Sequence, residues 1–429
     1  MEVQLRARME KNDDGDEKER IAMECSSPEA KLGIRVEDLW DNQEPQLSPT
    51  DKLNVCFESI PVSSFPLASA SQVEIRSDCS LAEAVRILSQ HKILSVPVVD
   101  VEASDDATWM ERYIGIVEFA GIAVWILHQS EDDESNRVIP SPESNSSVAA
   151  FTANDGNGNQ ASMSPRSAAM TSGNFFGALT ASELYKKTTV RDISGTFRWA
   201  PFLALQDTNS MLTVLLLLSK YKMKSVPVVG KAKIENIITQ SAVIHMLAEC
   251  AGLHWFESFG TKKLTEIGLP LMSSTQVVKV YEDESVLQAF RLMRLKGIGG
   301  IPVVERHGAK AVGNISVRDI QFLLTAPEIY KDCRSITAKD FLLASKKCRE
   351  EHEGSTPLVS GMITCRKDDT LKNVILTLDS LKIHRIYVVD ESEGLEGVIT
   401  LRDIISRLVH EPRNYFGDFF DGFIPNCRV

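Results

Sequence analysis

The chain has 429 residues, 43% of them apolar, enough material for two or three domains. Its net charge of −12 argues against a nucleic-acid backbone as main partner. No apolar run reaches the roughly 18–20 residues of a membrane span, and the charged first residues lack the apolar stretch of a secretion signal.

Residues 1–30 are charged and predicted to be disordered. Residues 31–59 form a flank with apolar anchors such as Trp40 and Phe57. The first unit spans residues 60–128. Leu81, Ala84, Val85 and Leu88 recur at the three- and four-residue spacing of an amphipathic helix. A strand ending in Ser-Val-Pro-Val-Val-Asp100 follows, then a second at Tyr113-Ile-Gly-Ile-Val117. Residues 129–173 are rich in Ser, Asn, Gly, Ala and Pro and read as a flexible insert. Ser141-Pro142 and Ser164-Pro165 within it are candidate sites for proline-directed phosphorylation.

The second unit spans residues 180–252, with Leu212, Leu215, Leu216 and Ser219 on one helical face. Its strands are Ser-Val-Pro-Val-Val229 and Ile234-Glu-Asn-Ile-Ile238. The third spans 262–327, with Val286, Ala289, Phe290 and Met293, then Gly-Ile-Pro-Val-Val304 and Ala311-Val-Gly-Asn-Ile315. Gly297-Ile-Gly-Gly300 leads into a strand and reads as a tight packing turn. The fourth spans 355–411, with Leu371, Val374, Ile375 and Leu378, then Arg-Ile-Tyr-Val-Val-Asp390 and Leu395-Glu-Gly-Val-Ile399. Residues 412–429 form an aromatic tail with Tyr415, Phe416, Phe419, Phe420 and Phe423.

Each unit reads strand, helix, strand, strand, helix over roughly 55 residues, too few to bury its own sheet without a neighbour. The expected fold class is α+β, with four βαββα repeats paired into two modules. These repeats resemble the CBS domain, whose pairs form the Bateman module.

The segments Gly313-Asn-Ile-Ser-Val-Arg-Asp319 and Gly397-Val-Ile-Thr-Leu-Arg-Asp403 repeat a hydroxyl, two residues and a carboxylate at a helix start. On spacing alone Thr400 and Asp403 fit a capping box. The corresponding positions differ in the first repeat (Glu118, Gly121) and the second (Thr239, Ala242), so folding does not require the carboxylate. An ionised Asp there also suits the hydroxyl pair of a ribose. Val190-Arg-Asp-Ile193 copies the letters but lacks the preceding strand, and is read as a helical turn rather than a site.

In CBS proteins similar to the gamma subunit of AMP-activated protein kinase, this hydroxyl–carboxylate pair holds the ribose of an adenine nucleotide. The resemblance implies one site at Ser316 and Asp319 and another at Thr400 and Asp403, making the second module, about residues 270–411, the nucleotide-competent half. It also implies phosphate contacts from His384 and Arg385, with Lys382 beside them. Lys222, Lys296, Arg318 and Arg402 are further nearby cations.

The stretches Lys31-Leu-Gly-Ile-Arg-Val-Glu-Asp-Leu-Trp40, Cys56-Phe-Glu-Ser-Ile-Pro61, Val190-Arg-Asp-Ile-Ser-Gly-Thr-Phe-Arg-Trp-Ala-Pro201 and Tyr415-Phe-Gly-Asp-Phe-Phe-Asp421 resemble the plant gamma-type regulatory subunits of sucrose-non-fermenting-related kinases. That resemblance implies a catalytic alpha subunit and a beta scaffold as partners, AMP, ADP or ATP as regulatory ligand, and a role in energy and sugar signalling. The aromatics Trp40, Phe57, Phe65, Phe197, Trp199 and Phe202 flank the repeats as partner anchors or as packing between modules.

No phosphate-binding Gly-x-x-x-x-Gly-Lys, Asp-Phe-Gly, His-Glu-x-x-His or Gly-x-Ser-x-Gly occurs, so no catalysis is expected. The rival readings are a stand-alone CBS regulator of another client and a scaffold subunit indifferent to nucleotide. None of the eight cysteines forms a Cys-x-x-Cys pair, so no metal is expected and the thiols read as reduced, in cytoplasm or nucleus.

Overall fold

Two proline-started helices precede the repeats, α1 (Pro28–Asp41) and α2 (Pro49–Glu58). Proline at the first helical position loses no bond, and Ser27 and Ser48 cap the helices. The computed structural model describes residues 27–67, 73–91, 93–119, 121, 122, 125, 183–194, 202–230, 233–306, 310–319, 336–352 and 362–417. The N-terminal segment, the insert at 129–173 with its Ser-Pro pairs, and Phe197, Trp199, Phe419, Phe420 and Phe423 lie outside the described residues.

The first repeat supplies β1 (Ile75–Arg76), α3 (Leu81–Gln90), β2 (Ser95–Val99) and β3 (Tyr113–Glu118). The second supplies β4 (Leu205–Gln206), α4 (Met211–Ser219), β5 (Ser225–Val229), β6 (Ile234–Thr239) and α5 (Gln240–Glu249), followed by α6 (His254–Gly260). The third supplies β7 (Val280–Tyr281), α7 (Val286–Lys296), β8 (Gly300–Val304) and β9 (Ala311–Ser316), with α8 (Ala338–His352) after it. The fourth supplies β10 (Thr364–Cys365), α9 (Leu371–Ser380), β11 (Arg385–Val389), β12 (Leu395–Thr400) and α10 (Leu401–Leu408).

Each repeat folds as one three-stranded sheet: a two-residue strand runs parallel to the central strand, which pairs antiparallel with the third. The same irregularity falls between the last two valines of every central strand: Val98/Val99, Val228/Val229, Val303/Val304 and Val388/Val389. Ser80, Ser210, Ser285 and Thr370 cap the first helix of each repeat through their hydroxyls. The apolar faces expected on α3, α7 and α9 are the buried ones. Helix α4 differs, because all nine of its residues are buried. It lies between α2 and α10, so no side remains for solvent.

The segment leading into each repeat pairs with the other repeat of its module. Pro61 bridges Ser210 of the second repeat, and Thr189 bridges Ser80 of the first. Lys263 likewise bridges Thr370 of the fourth, and Thr337 bridges Ser285 of the third. The turn Arg191–Ile193 thus belongs to this exchange, with Arg191 N donating to Ser77 O.

Two kinds of seam complete the assembly. Sheet faces meet within a module: Val277, Val304, Tyr387, Leu395 and Val398 cluster between the third and fourth repeats. Helices meet between modules. The second and fourth repeats share a core through α4, α5, α9 and α10, and the first and third share another.

The flank is part of the first of these cores. Phe57 and Phe65 are buried there, with Trp40 packed at its edge. Trp255 on α6 is fully buried, donates its Nε1–H to Gly33 O at 3.0 Å and meets Phe57 edge-on. Phe202 stacks on Tyr113, with ring centres 4.7 Å apart. In the tail, Tyr415 donates to Glu58 Oε2 at 2.6 Å and Phe416 packs on Tyr221. The described aromatic flanks therefore pack within the chain. Among the described residues, no helix is long and apolar enough to cross a membrane.

Candidate functional site

Strand register decides which side chains meet at the mouth of each sheet. The first residue of each central strand pairs with the last of the third strand: Ser95 with Glu118, Ser225 with Thr239, Gly300 with Ser316 and Arg385 with Thr400. In the second and fourth repeats a helix begins at this point, and its first-turn N–H groups lack intrahelical partners.

At the fourth repeat, the backbone N–H and hydroxyl of Thr400 donate to Asp403 Oδ2 at 2.9 and 2.7 Å. Asp403 N donates back to Thr400 Oγ1 at 3.3 Å. At the third, Ser316 N and Oγ donate to Asp319 Oδ2 at 2.7 and 2.9 Å. Both carboxylates are buried. The same geometry recurs where no ligand was expected, at Thr189 with Asp192 and at Thr108 with Glu111. Thr239 caps α5 with no carboxylate at all, accepting from Ala242 N at 3.1 Å. The hydroxyl–carboxylate pair is thus helix-start chemistry first.

The cations separate the second module from these other helix starts. Arg385 reaches across to the third repeat, where its guanidinium fills the space beside Gly299 and Gly300. A Cβ on Gly300 would overlap it, so the glycines expected to form a packing turn also make room for Arg385. Gly300 is the strand partner of Ser316, so the cation sits at the mouth that carries Ser316 and Asp319. Tyr387, further along β11, donates to Asn314 Oδ1 at 2.6 Å. Burial pushes its phenol up to about 12, with the charge and hydrogen bond of Arg385 acting the other way.

His384 meets a different neighbour. Its Nε2 lies 3.2 Å from the hydroxyl of Ser241, near the start of α5 in the second repeat. Lys382 adopts a left-handed turn, as Lys222 does at the matching place, and donates to Asp379 Oδ1 at 2.8 Å. Arg402 Nη2 stands 3.9 Å from Asp403 Oδ1. In the first module Lys224, which precedes β5 as His384 precedes β11, forms an ion pair with Glu118, which ends β3 as Ser316 ends β9. Neither Ser241 nor this ion pair was singled out from sequence. Both depend on contacts between repeats, which no motif spacing encodes.

Elsewhere, Glu37, Asp41 and His254 lie close enough to share a cation. Glu37, however, accepts the backbone N–H groups of His254 at 2.8 Å and Trp255 at 3.0 Å, and so serves the start of α6. Among the described residues, Cys56, Cys79, Cys250 and Cys365 form no disulfide; burial pushes the thiols of Cys56 and Cys79 up to about 11 and of Cys365 to about 12.

A family model of the CBS domain matches residues 267–325 and 358–410, the third and fourth repeats. The SNF1-related protein kinase regulatory subunit gamma-1 of Arabidopsis thaliana is 66% identical over 95% of this chain and 96% of its own length. The chain belongs to the gamma regulatory subunits of SNF1-related protein kinases. A second member of this gamma family, the gamma-1-like subunit of the same plant, is 39% identical over 85% of the chain and 89% of its own length. The human 5′-AMP-activated protein kinase subunit gamma-3 is 25% identical over 54% of the chain and 44% of its own length. Among solved structures, protein MJ1225 of Methanocaldococcus jannaschii, described as an archaeal homologue of gamma AMPK, superposes with a TM-score of 0.54 at 15% identity. It covers 81% of this gamma-type chain and 99% of its own, a likeness of fold.

Proposed function

We propose that this gamma chain is the non-catalytic subunit of a heterotrimeric energy- and sugar-signalling kinase, and that its second module binds an adenine nucleotide. The observation that carries this reading is Arg385 lodged against Gly299 and Gly300, at the mouth that holds Ser316 and Asp319. A guanidinium grips phosphate through parallel N–H bonds, and a carboxylate accepts from ribose hydroxyls. In this reading Asp319 and Asp403 take the ribose of AMP, ADP or ATP at two mouths, with Ser316 and Thr400 orienting them. Arg385 and His384 take the phosphates. A catalytic alpha subunit and a beta scaffold are the partners through which occupancy reaches the kinase. Nucleotide then shifts activity only as far as it binds the active and inactive assemblies differently.

A second reading has its own support. Oδ2 of each Asp already accepts two bonds from its own helix start, which a scaffold subunit indifferent to nucleotide would share. Calorimetric titration of the purified chain with AMP, ADP and ATP, beside Asp319→Ala and Asp403→Ala, separates the two. Binding that weakens in either variant supports the nucleotide reading. Absence of binding at millimolar nucleotide leaves the scaffold, which co-purification with the kinase and beta chains would then test.

A further inference from the structure

We propose that Glu118 is a built-in anion that keeps phosphate groups out of the first module and so helps confine nucleotides to the second. The inference builds on the nucleotide reading above. Glu118 ends β3 as Ser316 ends β9, and it pairs with Ser95 as Ser316 pairs with Gly300. Lys224 immediately precedes β5 as His384 immediately precedes β11.

In the first module these two positions close on each other. The Lys224 ammonium, on the second repeat, forms an ion pair with the Glu118 carboxylate, on the first. The Glu118 side chain is only 14% exposed, whereas that of Lys224 is 55% exposed. The anion is therefore the fixed, inner member, and the cation reaches in from solvent to meet it. In the second module a neutral hydroxyl, Ser316, stands where Glu118 would, and Arg385 reaches that mouth from the neighbouring repeat.

A phosphate approaching the first module would face a carboxylate held in place and a lysine already neutralised by it. Like charges at such range repel, most strongly where water is partly excluded. Gly121 and Ala242 offer no carboxylate for a ribose, so any ligand admitted there would be gripped by its phosphates. Glu118 is thus a specificity-determining residue, acting by exclusion.

The test uses the full chain and two probes, ATP and inorganic tripolyphosphate, in calorimetric titrations of wild type, Glu118→Ser and the near-isosteric Glu118→Gln. Both variants are expected to gain one site for either probe, and Lys224→Met added to Glu118→Ser is expected to abolish the gained site. Stoichiometry equal to wild type in both variants, with melting temperatures preserved, overturns the proposal. A wild-type chain that takes up no ATP counts against the nucleotide reading instead. The gain in tripolyphosphate sites remains measurable in that case.

Discussion

His245 Nδ1 lies 3.1 Å from Asp379 Oδ2, joining α5 of the second repeat to α9 of the fourth. Lys382 donates to the other oxygen of the same carboxylate at 2.8 Å. Burial works to raise this carboxyl, but the bonds from Lys382 and His245 together outweigh it and hold it below the ordinary range. A depressed carboxyl contributes stability above its unfolded value of about 3.9, and that contribution is lost as pH falls through the folded value. Asp379→Asn should therefore cost about 0.5–1 kcal/mol near neutral pH and almost nothing in acid below the depressed value. Urea denaturation at both pH values reads this; an equal penalty at both would discard the ion-pair account.

Trp255 plugs the core between the flank and the second repeat. Removing its ring leaves a cavity and takes away the indole bond that ties α6 to Gly33 O of α1. Trp255→Ala should cost about 3–5 kcal/mol and detach α1. Hydrogen exchange across α1 should rise in step with the loss measured by chemical denaturation. Protection retained in α1 would show that the flank holds without the indole.

Capping and ligand binding can be separated at Asp403. Asparagine there keeps an oxygen that can accept from Thr400, but it loses the charge. Asp403→Asn should keep the melting curve within about 1 kcal/mol of wild type. Nucleotide affinity should fall ~10–100-fold. Thr400→Ala should show the reverse weighting, with lost stability dominating. If both substitutions change only stability, Asp403 is a cap and nothing more.

Gly300 offers a test of Arg385 that leaves Arg385 in place. A Cβ there collides with the tip of a flexible side chain rather than with backbone, so the fold should tolerate alanine. Gly300→Ala should displace the guanidinium and weaken nucleotide binding by about tenfold, the worth of one charge-assisted bond. Arg385→Ala should weaken it at least as much. Wild-type affinity in Gly300→Ala would mean that the position of Arg385 against the third repeat is irrelevant to binding.

The repeats were legible because period-two valine strands and three-four helical spacing are local signals. The buried faces of α3, α7 and α9 match the expected residues, and the strands follow suit. Spacing alone gives α4 one apolar face, because sequence does not reveal that α2 and α10 cover its other faces. The hydroxyl–carboxylate pairs were readable as caps from spacing. Arg385 is named as a phosphate contact through the resemblance alone, and spacing does not tell which mouth it serves, since it reaches one built by residues 299–319 through tertiary packing. The aromatics of the flank look alike in sequence whether they face a partner or a core; burial of Phe57 and Phe65 decides for the core.

The flank has a consequence for synthesis. Asn54 and His410 exchange two hydrogen bonds although they are 356 positions apart, and Glu58 waits 152 positions for Ser210. A nascent chain leaving the ribosome therefore carries Leu53, Cys56 and Phe57 with only α1 to pack against until the second repeat emerges. Their full enclosure waits for α10, more than 340 positions later. Such delayed contacts favour premature association with other nascent chains.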